Sequence, residues 1–263
     1  MPVYTYTTFD DPLAAQQAGG TGAEGINDSD QIVGNFENAS GEHGFLLSGG
    51  AFTTLDDPLA TVQAGGTEAA GINSAGLIVG EYGNASGTHG FLFNPNGGTW
   101  TTLDDPLAAG DTAARGINAA GQIVGNYFDS SGQGHGFIYS NGTYTPFDII
   151  ELPYATSTVV SGINSAGLIV GFFSNVTGNH GFLYNPNDGT TIAIDDPLAS
   201  QARGGTVATG INDAGRSSAL TATAPAATVL STAAAFSPLS TIRSTAISAL
   251  YAASTTAARW SEF

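Results

Sequence analysis

The chain has 263 residues, 41% of them hydrophobic and only 10% charged, with 37 glycines and no cysteine. That balance fits a folded, turn-rich protein of one large domain or two ordinary ones, and it excludes a disulfide framework, a thiolate metal site and a cysteine nucleophile. The 22 acidic residues face 5 arginines and no lysine, for a formal net charge of −17, which argues against nucleic acid and anionic membrane surfaces as partners.

The N-terminus, Met1-Pro2-Val3-Tyr4, shows neither the basic n-region nor the apolar h-region of a secretory signal. No run of apolar residues is long enough to suggest a membrane span. Four signatures then pass in fixed order: Asp10-Asp11-Pro12-Leu13-Ala14, Gly25-Ile26-Asn27, Ile32-Val33-Gly34 and His43-Gly44-Phe45. They return in a second unit from Asp56, with Asp57, Gly71, Ile78 and His89, and in a third from Asp104, with Asp105, Gly116, Ile123 and His135. In the fourth unit an insertion separates Asp148 from Pro153, ahead of Gly162, Ile169 and His180. Asp195-Asp196-Pro197 and Gly210-Ile211-Asn212 open a fifth. Successive copies lie about 46 residues apart, the length of one propeller blade.

Each unit predicts four short strands. In the second they fall at 53–56, 69–73, 77–82 and 89–93, with Asn73-Ser74-Ala75-Gly76 as a tight hairpin turn whose Gly takes positive φ. Phe91 and Phe93 alternate with Leu92, the pattern of a strand covered on both faces. Four-stranded antiparallel units repeated in tandem make an all-β, propeller-like array, with a β-solenoid as the alternative. The glycines of Gly-Ile-Asn and Ile-Val-Gly suit strands crowded near an axis.

The combination of Gly-Ile-Asn, Gly-(Gln/Leu)-Ile-Val-Gly and His-Gly-Phe-(Leu/Ile) resembles the HAF family of bacterial extracellular repeats, with Gly where that family's namesake His-Ala-Phe has Ala. The resemblance covers about residues 1 to 215. It implies an extracellular or cell-surface protein and supplies no catalytic residues.

After Gly215 the composition turns to Ala, Ser and Thr and every signature stops. Restoring one base after Gly215 lets Arg216-Ser217-Ser218-Ala219 be read as Gln-Ile-Val-Gly. In the same frame residues 228–232 can read His-Gly-Phe-Ile-Tyr, 240–244 Leu-Asp-Asp-Pro-Leu, 253–255 Gly-Ile-Asn and 259–261 Gln-Met-Val. The expected organisation is therefore a tandem array over 1–215, four full repeats and a partial fifth. Residues 216–263 form an ill-packed or disordered tail, a frameshifted translation of further repeats. On this reading the fifth unit lacks its last two strands.

The candidate site residues are the repeated pairs Asp10 and Asp11, Asp56 and Asp57, Asp104 and Asp105, and Asp195 and Asp196, each followed by a long loop. Long loops gathered on one face of a repeat array form its binding surface. Paired carboxylates suit Ca²⁺ through oxygen ligands, while the simpler reading is that they organise Asx-type turns ahead of an extended pre-proline residue. His43, His89, His135 and His180 are read as strand caps bonded to neighbouring turns rather than a metal ring. Asn38-Ala39-Ser40, Asn84-Ala85-Ser86, Asn141-Gly142-Thr143 and Asn175-Val176-Thr177 match a glycosylation sequon but read as turns. Symmetric repeats do not make the single unsymmetrical constellation that catalysis needs. The function expected is non-enzymatic binding of a glycan or protein through the loop face. The alternatives are a structural surface module rigidified by Ca²⁺, a glycoside hydrolase-like enzyme and a truncated gene product without function. Nothing in the sequence sets the oligomeric state.

Overall fold

The computed structural model describes residues 9–14, 20–61, 65–149, 156–197, 199, 205–222 and 227–233. Among these the chain forms nineteen β-strands and no helix. The first sheet holds β1 (Thr21–Ile26), β2 (Ile32–Asn38), β3 (Gly41–Ser48) and β4 (Ala51–Leu55), each paired antiparallel with the next. The second holds β5 (Thr67–Ile72), β6 (Ile78–Asn84), β7 (Gly87–Asn94) and β8 (Thr99–Leu103). The third holds β9 (Thr112–Ile117), β10 (Ile123–Phe128), β11 (Gly134–Ser140) and β12 (Thr143–Phe147). The fourth holds β13 (Ser157–Ile163), β14 (Ile169–Asn175), β15 (Gly178–Asn185) and β16 (Thr190–Ala193). A three-stranded fifth comprises β17 (Thr206–Ile211), β18 (Arg216–Ala222) and β19 (Ala227–Ala233).

The blade boundary differs from the sequence unit by one strand. Of the segment 53–56, expected to open the second unit, 53–55 are the end of β4, the outer strand of the first sheet, and Asp56 begins the loop that follows. A blade therefore runs from the Gly-Ile-Asn strand to the Thr-Thr-Leu strand, and the Asp-Asp-Pro block is the loop between blades. The Gly-Ile-Asn strands of successive blades stand side by side. A Cβ on Gly25 would meet the Cα of Gly71 at 3.2 Å, and one on Gly116 would meet the Cα of Gly162 at 3.2 Å. Only glycine lets these strands converge so closely. Each of them also carries an irregularity just before the glycine, between Ala69 and Gly71 in the second blade. The Ile-Val-Gly glycine answers a different need. A Cβ on Gly80 would overlap the Glu68 carbonyl and the Phe91 ring that lies over it.

The hydrophobic core lies between blades rather than within them. Val33, Leu46 and Leu55 of the first blade close on Ile72, Ile78, Tyr82 and Phe91 of the second. Val79 and Leu103 repeat this against Ile117, Ile123, Tyr127 and Phe137, and Val124 and Ile149 against Val160, Ile169, Phe173 and Phe182. Stacked sheets burying their facing sides, with the innermost strands converging, give the propeller-like arrangement.

The fifth blade departs from both its siblings and the sequence expectation. Pairing does not stop at Gly215, because β18 and β19 continue the meander in the sibling register, Ile211 opposite Ser217 as Ile26 is opposite Ile32. Backbone ladders ask little of side chains, so Ser, Thr and Ala can extend a sheet. They bury less hydrocarbon than Ile and Val do. Ser217 is buried where the other blades place Ile, and Ala219 stands where they place Gly. The core cluster of the fourth interface, among the residues whose side chains are described, holds Val170, Leu183 and Ala208, with Leu168, Ile192, Ile194 and Ile211 partly buried against it. Residues 223–226 and 234–263, the rest of the expected tail, lie outside the described set.

Candidate binding face

Because the strands of a meander alternate in direction, the loops between blades and the β2–β3 type hairpins share one edge of the array, and the Asn turns occupy the other. Backbone contacts tie the first set together. Thr61 N–H donates to Gly83 O (2.8 Å), Ala109 N–H to Phe128 O (2.8 Å) and Phe128 N–H to Asp111 O (3.1 Å). This loop face carries all the predicted Asp pairs.

The two carboxylates of each pair have different tasks. The second closes the turn, buried at Asp11, Asp57 and Asp105 and half-buried at Asp196. Asp57 Oδ1 accepts the Leu59 amide at 2.8 Å, its own amide donates to Thr67 Oγ1 at 3.0 Å, and its carbonyl accepts from Ala60 N–H at 3.0 Å. Asp11 and Asp105 repeat all three bonds, with Thr21 and Thr112 as the hydroxyl acceptors. Asp196 N–H likewise donates to Thr206 Oγ1. Burial pushes the carboxyls of Asp57 and Asp105 above the usual range, against the pull of the Leu amide and of His89 and His135 respectively. The fourth loop has Ile149 at this position, fully buried and donating its amide to Thr158 Oγ1, so the position also accommodates hydrocarbon. The insertion residues 150–155, including Pro153, lie outside the described set.

The first carboxylate reaches a histidine. His43 Nδ1 meets Asp56 (2.8 Å), His89 meets Asp104 (3.0 Å), His135 meets Asp148 (2.9 Å) and His180 meets Asp195 (2.7 Å). Asp10 is exposed. Each imidazole stacks on the aromatic residue of its β2-type strand, Phe36, Tyr82, Tyr127 or Phe173, at 4.9 to 5.2 Å between centroids. The other nitrogen meets the hairpin: Nε2 lies 2.9 Å from Ser40 Oγ, 2.9 Å from Ser86 Oγ and 2.8 Å from Thr177 Oγ1. The histidines thus bond to neighbouring turns, as expected from the sequence, and brace the loop to the hairpin.

An Asp–His–Ser order invites comparison with nucleophilic catalysis. The hydroxyls are otherwise engaged. Ser40 donates to Asn38 Oδ1 at 2.5 Å, Ser86 to Asn84 Oδ1 at 2.6 Å and Thr177 to Asn175 Oδ1 at 2.6 Å, each shorter than the ring contact. In the third blade Asp129 replaces Asn, taking the Ser131 hydroxyl and lying 3.4 Å from His135 Nε2. Ser131 and the Gln133 amide hold the Asp129 carboxyl well below its ordinary range. Ring burial works against protonation of His135, but its bonds to Asp148 and Asp129 prevail and raise its pKa. The arrangement is a brace repeated in every complete blade.

Two clefts open on this face. One of about 340 Å³ is lined by Gly20, Asn35, Glu37, Glu42 and Gly65, the other of about 450 Å³ by Gly110, Asp111, Phe128 and Asp129. Asn35 Nδ2 donates to Glu42 in the first, and burial raises the Glu42 carboxyl. Beside this region Arg115 bridges Glu68 (3.4 Å) and Glu81 (3.0 Å), which the sequence reading did not single out. Burial raises Glu81 despite the guanidinium. Among the described residues no three His, Asp, Glu or Cys side chains gather closely enough to hold a metal ion.

The opposite edge carries a feature that sequence reasoning missed. Asn73 Oδ1 caps its own turn through the amides of Ala75 and Leu77, both at 3.0 Å, and Gly76 takes φ 78° as expected. Its Nδ2 crosses to the next blade and donates to Asn118 O at 3.1 Å. Asn27, Asn118 and Asn164 do the same, reaching the carbonyls of Asn73, Asn164 and Asn212.

No protein-family model matches the chain, and no curated protein matches it. Among solved structures, a mutant of AofleA from Arthrobotrys oligospora is 13% identical with a TM-score of 0.47, covering 84% of this chain and 74% of its own. The fucose-specific lectin from Aleuria aurantia is 11% identical with a TM-score of 0.44, covering 83% and 75%. A mutant of that lectin in complex with alpha-methyl-L-fucoside gives 11%, 0.44, 80% and 72%. No helix of the described residues is long and apolar enough to cross a membrane, which says nothing about crossing by strands.

Proposed function

We propose that this is a non-enzymatic extracellular repeat protein of the HAF type that binds a glycan or a protein on its loop face. The observation that carries the reading is the pair of clefts on that face, walled by loops that the Asp turns and His braces hold in place. Pre-organised loops on a rigid scaffold are where binding sites concentrate. The test is a panel of glycans and proteins read for binding and for turnover together, with Glu37→Ala and Phe128→Ser as cleft variants. Binding without turnover that either variant weakens is the expected result. Turnover, or binding indifferent to both, counts against the reading.

A second reading concerns the chain itself, in which residues from Arg216 onward are an out-of-frame translation and the intact array continues. Ser217 and Ala219 at positions of Ile and Gly favour it. Sequencing the coding DNA and its genomic source across Gly215 decides it. A base missing from this coding sequence supports the frameshift, and an identical frame in genome and transcript contradicts it.

A further inference from the structure

Resting on the loop-face reading, we infer that this face docks a protein partner whose contact surface combines basic and aliphatic side chains. The feature behind it is a repeated leucine. Leu13, Leu59 and Leu107 are 59%, 58% and 58% exposed, each the fourth residue of its Asp-Asp-Pro-Leu block. Their exposure is built in, because each leucine amide is held by the preceding Asp Oδ1 at 2.8 Å. The array buries other leucines efficiently, among them Leu55, Leu103 and Leu183. One large aliphatic side chain presented to water at the same place in three successive loops is not random scatter, and recurring exposed apolar surface marks interaction sites. Phe128 and Val176, at or in hairpins of the same edge, are exposed as well. Among the described residues the other large exposed apolar ones, Ile26 and Leu220, belong to the first and last blades.

Charge selects the occupant. Three residues before each leucine stands an exposed aspartate, Asp10, Asp56 or Asp104, and the last two keep about half their side-chain surface open while touching histidine. Glu37, Asp111 and Asp129 add to the same face. The chain has no lysine, and among the described arginines Arg115 is engaged by Glu68 and Glu81 while Arg216 opens β18 at the opposite edge. A second copy of this chain would bring like charges together. A neutral glycan would leave the leucines against hydroxyl groups. A basic, leucine-rich protein surface satisfies both elements, with charge speeding encounter and the leucines supplying desolvated anchors.

The probe is a synthetic peptide alternating Lys and Leu, with Lys/Ser and Glu/Leu peptides of equal length as controls. The full chain is compared with the triple variant Leu13→Ser, Leu59→Ser, Leu107→Ser, whose fold is checked by circular dichroism. Burying a leucine is worth roughly tenfold in affinity. The expected result is that only the Lys/Leu peptide binds tightly, that salt weakens it, and that the triple variant loses at least tenfold. Equal binding of the Lys/Ser peptide, or an unaffected triple variant, overturns the inference. No Lys/Leu binding while glycans bind at the clefts overturns it too and leaves the loop-face reading standing. Hydrogen-exchange protection at the Asn turns instead of the loops sinks both.

Discussion

The Asn ladder can be tested at its second rung. Asn73 is 4% exposed, accepts two amides through Oδ1 and donates through Nδ2 to Asn118 O at 3.1 Å. Asn73→Asp keeps the shape and the two amide bonds but aims an oxygen at the Asn118 carbonyl. At neutral pH the loss of one hydrogen bond, about 1 kcal/mol, adds to the cost of a carboxylate oxygen buried without a donor, about 1–3 kcal/mol, while Asn118 O keeps the Gly121 amide. The sum of roughly 2–4 kcal/mol lowers the melting temperature by about 5–15 °C for an array of this size. The acid's native pKa is thereby raised above the unfolded value of about 3.9. The penalty is therefore absent below pH 3.9 or so, where a protonated Asp donates as the amide did, and grows to completion as pH rises through the native pKa. Asn73→Ala loses every bond and is destabilised at all pH values. Calorimetry at acid and neutral pH, with hydrogen exchange at 73–77 and 118–122, reads the difference. The reasoning is refuted if Asn73→Asp melts like the wild type at neutral pH, or like Asn73→Ala at both.

Three more predictions follow from the braces and the fifth blade. His135 has a raised native pKa, so its stabilising contribution is fully present below about pH 6.5 and is lost as pH climbs through the native value; His135→Gln flattens the fall of melting temperature across neutral pH, and an unchanged profile contradicts the assignment. Serine-reactive phosphonate probes leave Ser86 unlabelled, and Ser86→Ala costs about 1 kcal/mol of stability, its hydroxyl being held by Asn84; labelling detected by mass spectrometry would instead reveal a nucleophile. Ser217→Ile, Ser218→Val and Ala219→Gly together restore the sibling pattern, and the buried isoleucine alone is worth roughly 1.5–3 kcal/mol. Slower hydrogen exchange in β17 and β18 is expected, and faster exchange would refute the restored pattern.

The fold was legible because its signals are local and repeated. Alternation around Phe91, the Asn73–Gly76 turn and the spacing of Gly-Ile-Asn each point to the same four-stranded unit, and all appear in the structure. The blade boundary was not legible, since periodicity fixes a repeat length but not which strand begins a sheet. At the site, the turn role of Asp57 and the bonding of His89 to a neighbouring turn were readable from residue chemistry. The division of labour within Asp104 and Asp105 was not, because it depends on which side chain the loop turns inward. The Asn73 to Asn118 bond and the Glu68–Arg115–Glu81 bridge join residues in different blades. Only the packing of one sheet on the next brings them together. Likewise β18 formed where sequence expected none, because backbone pairing tolerates side chains that a core does not.

The central claim, that ligand is held on the loop face, is tested most directly by hydrogen-exchange footprinting of the full chain with a binder from the glycan and protein panel. Protection confined to 37–42, 56–61, 104–111 and 128–133 is the predicted result. Protection at the Asn turns, 73–76 and 118–121, with the loops unchanged would contradict it.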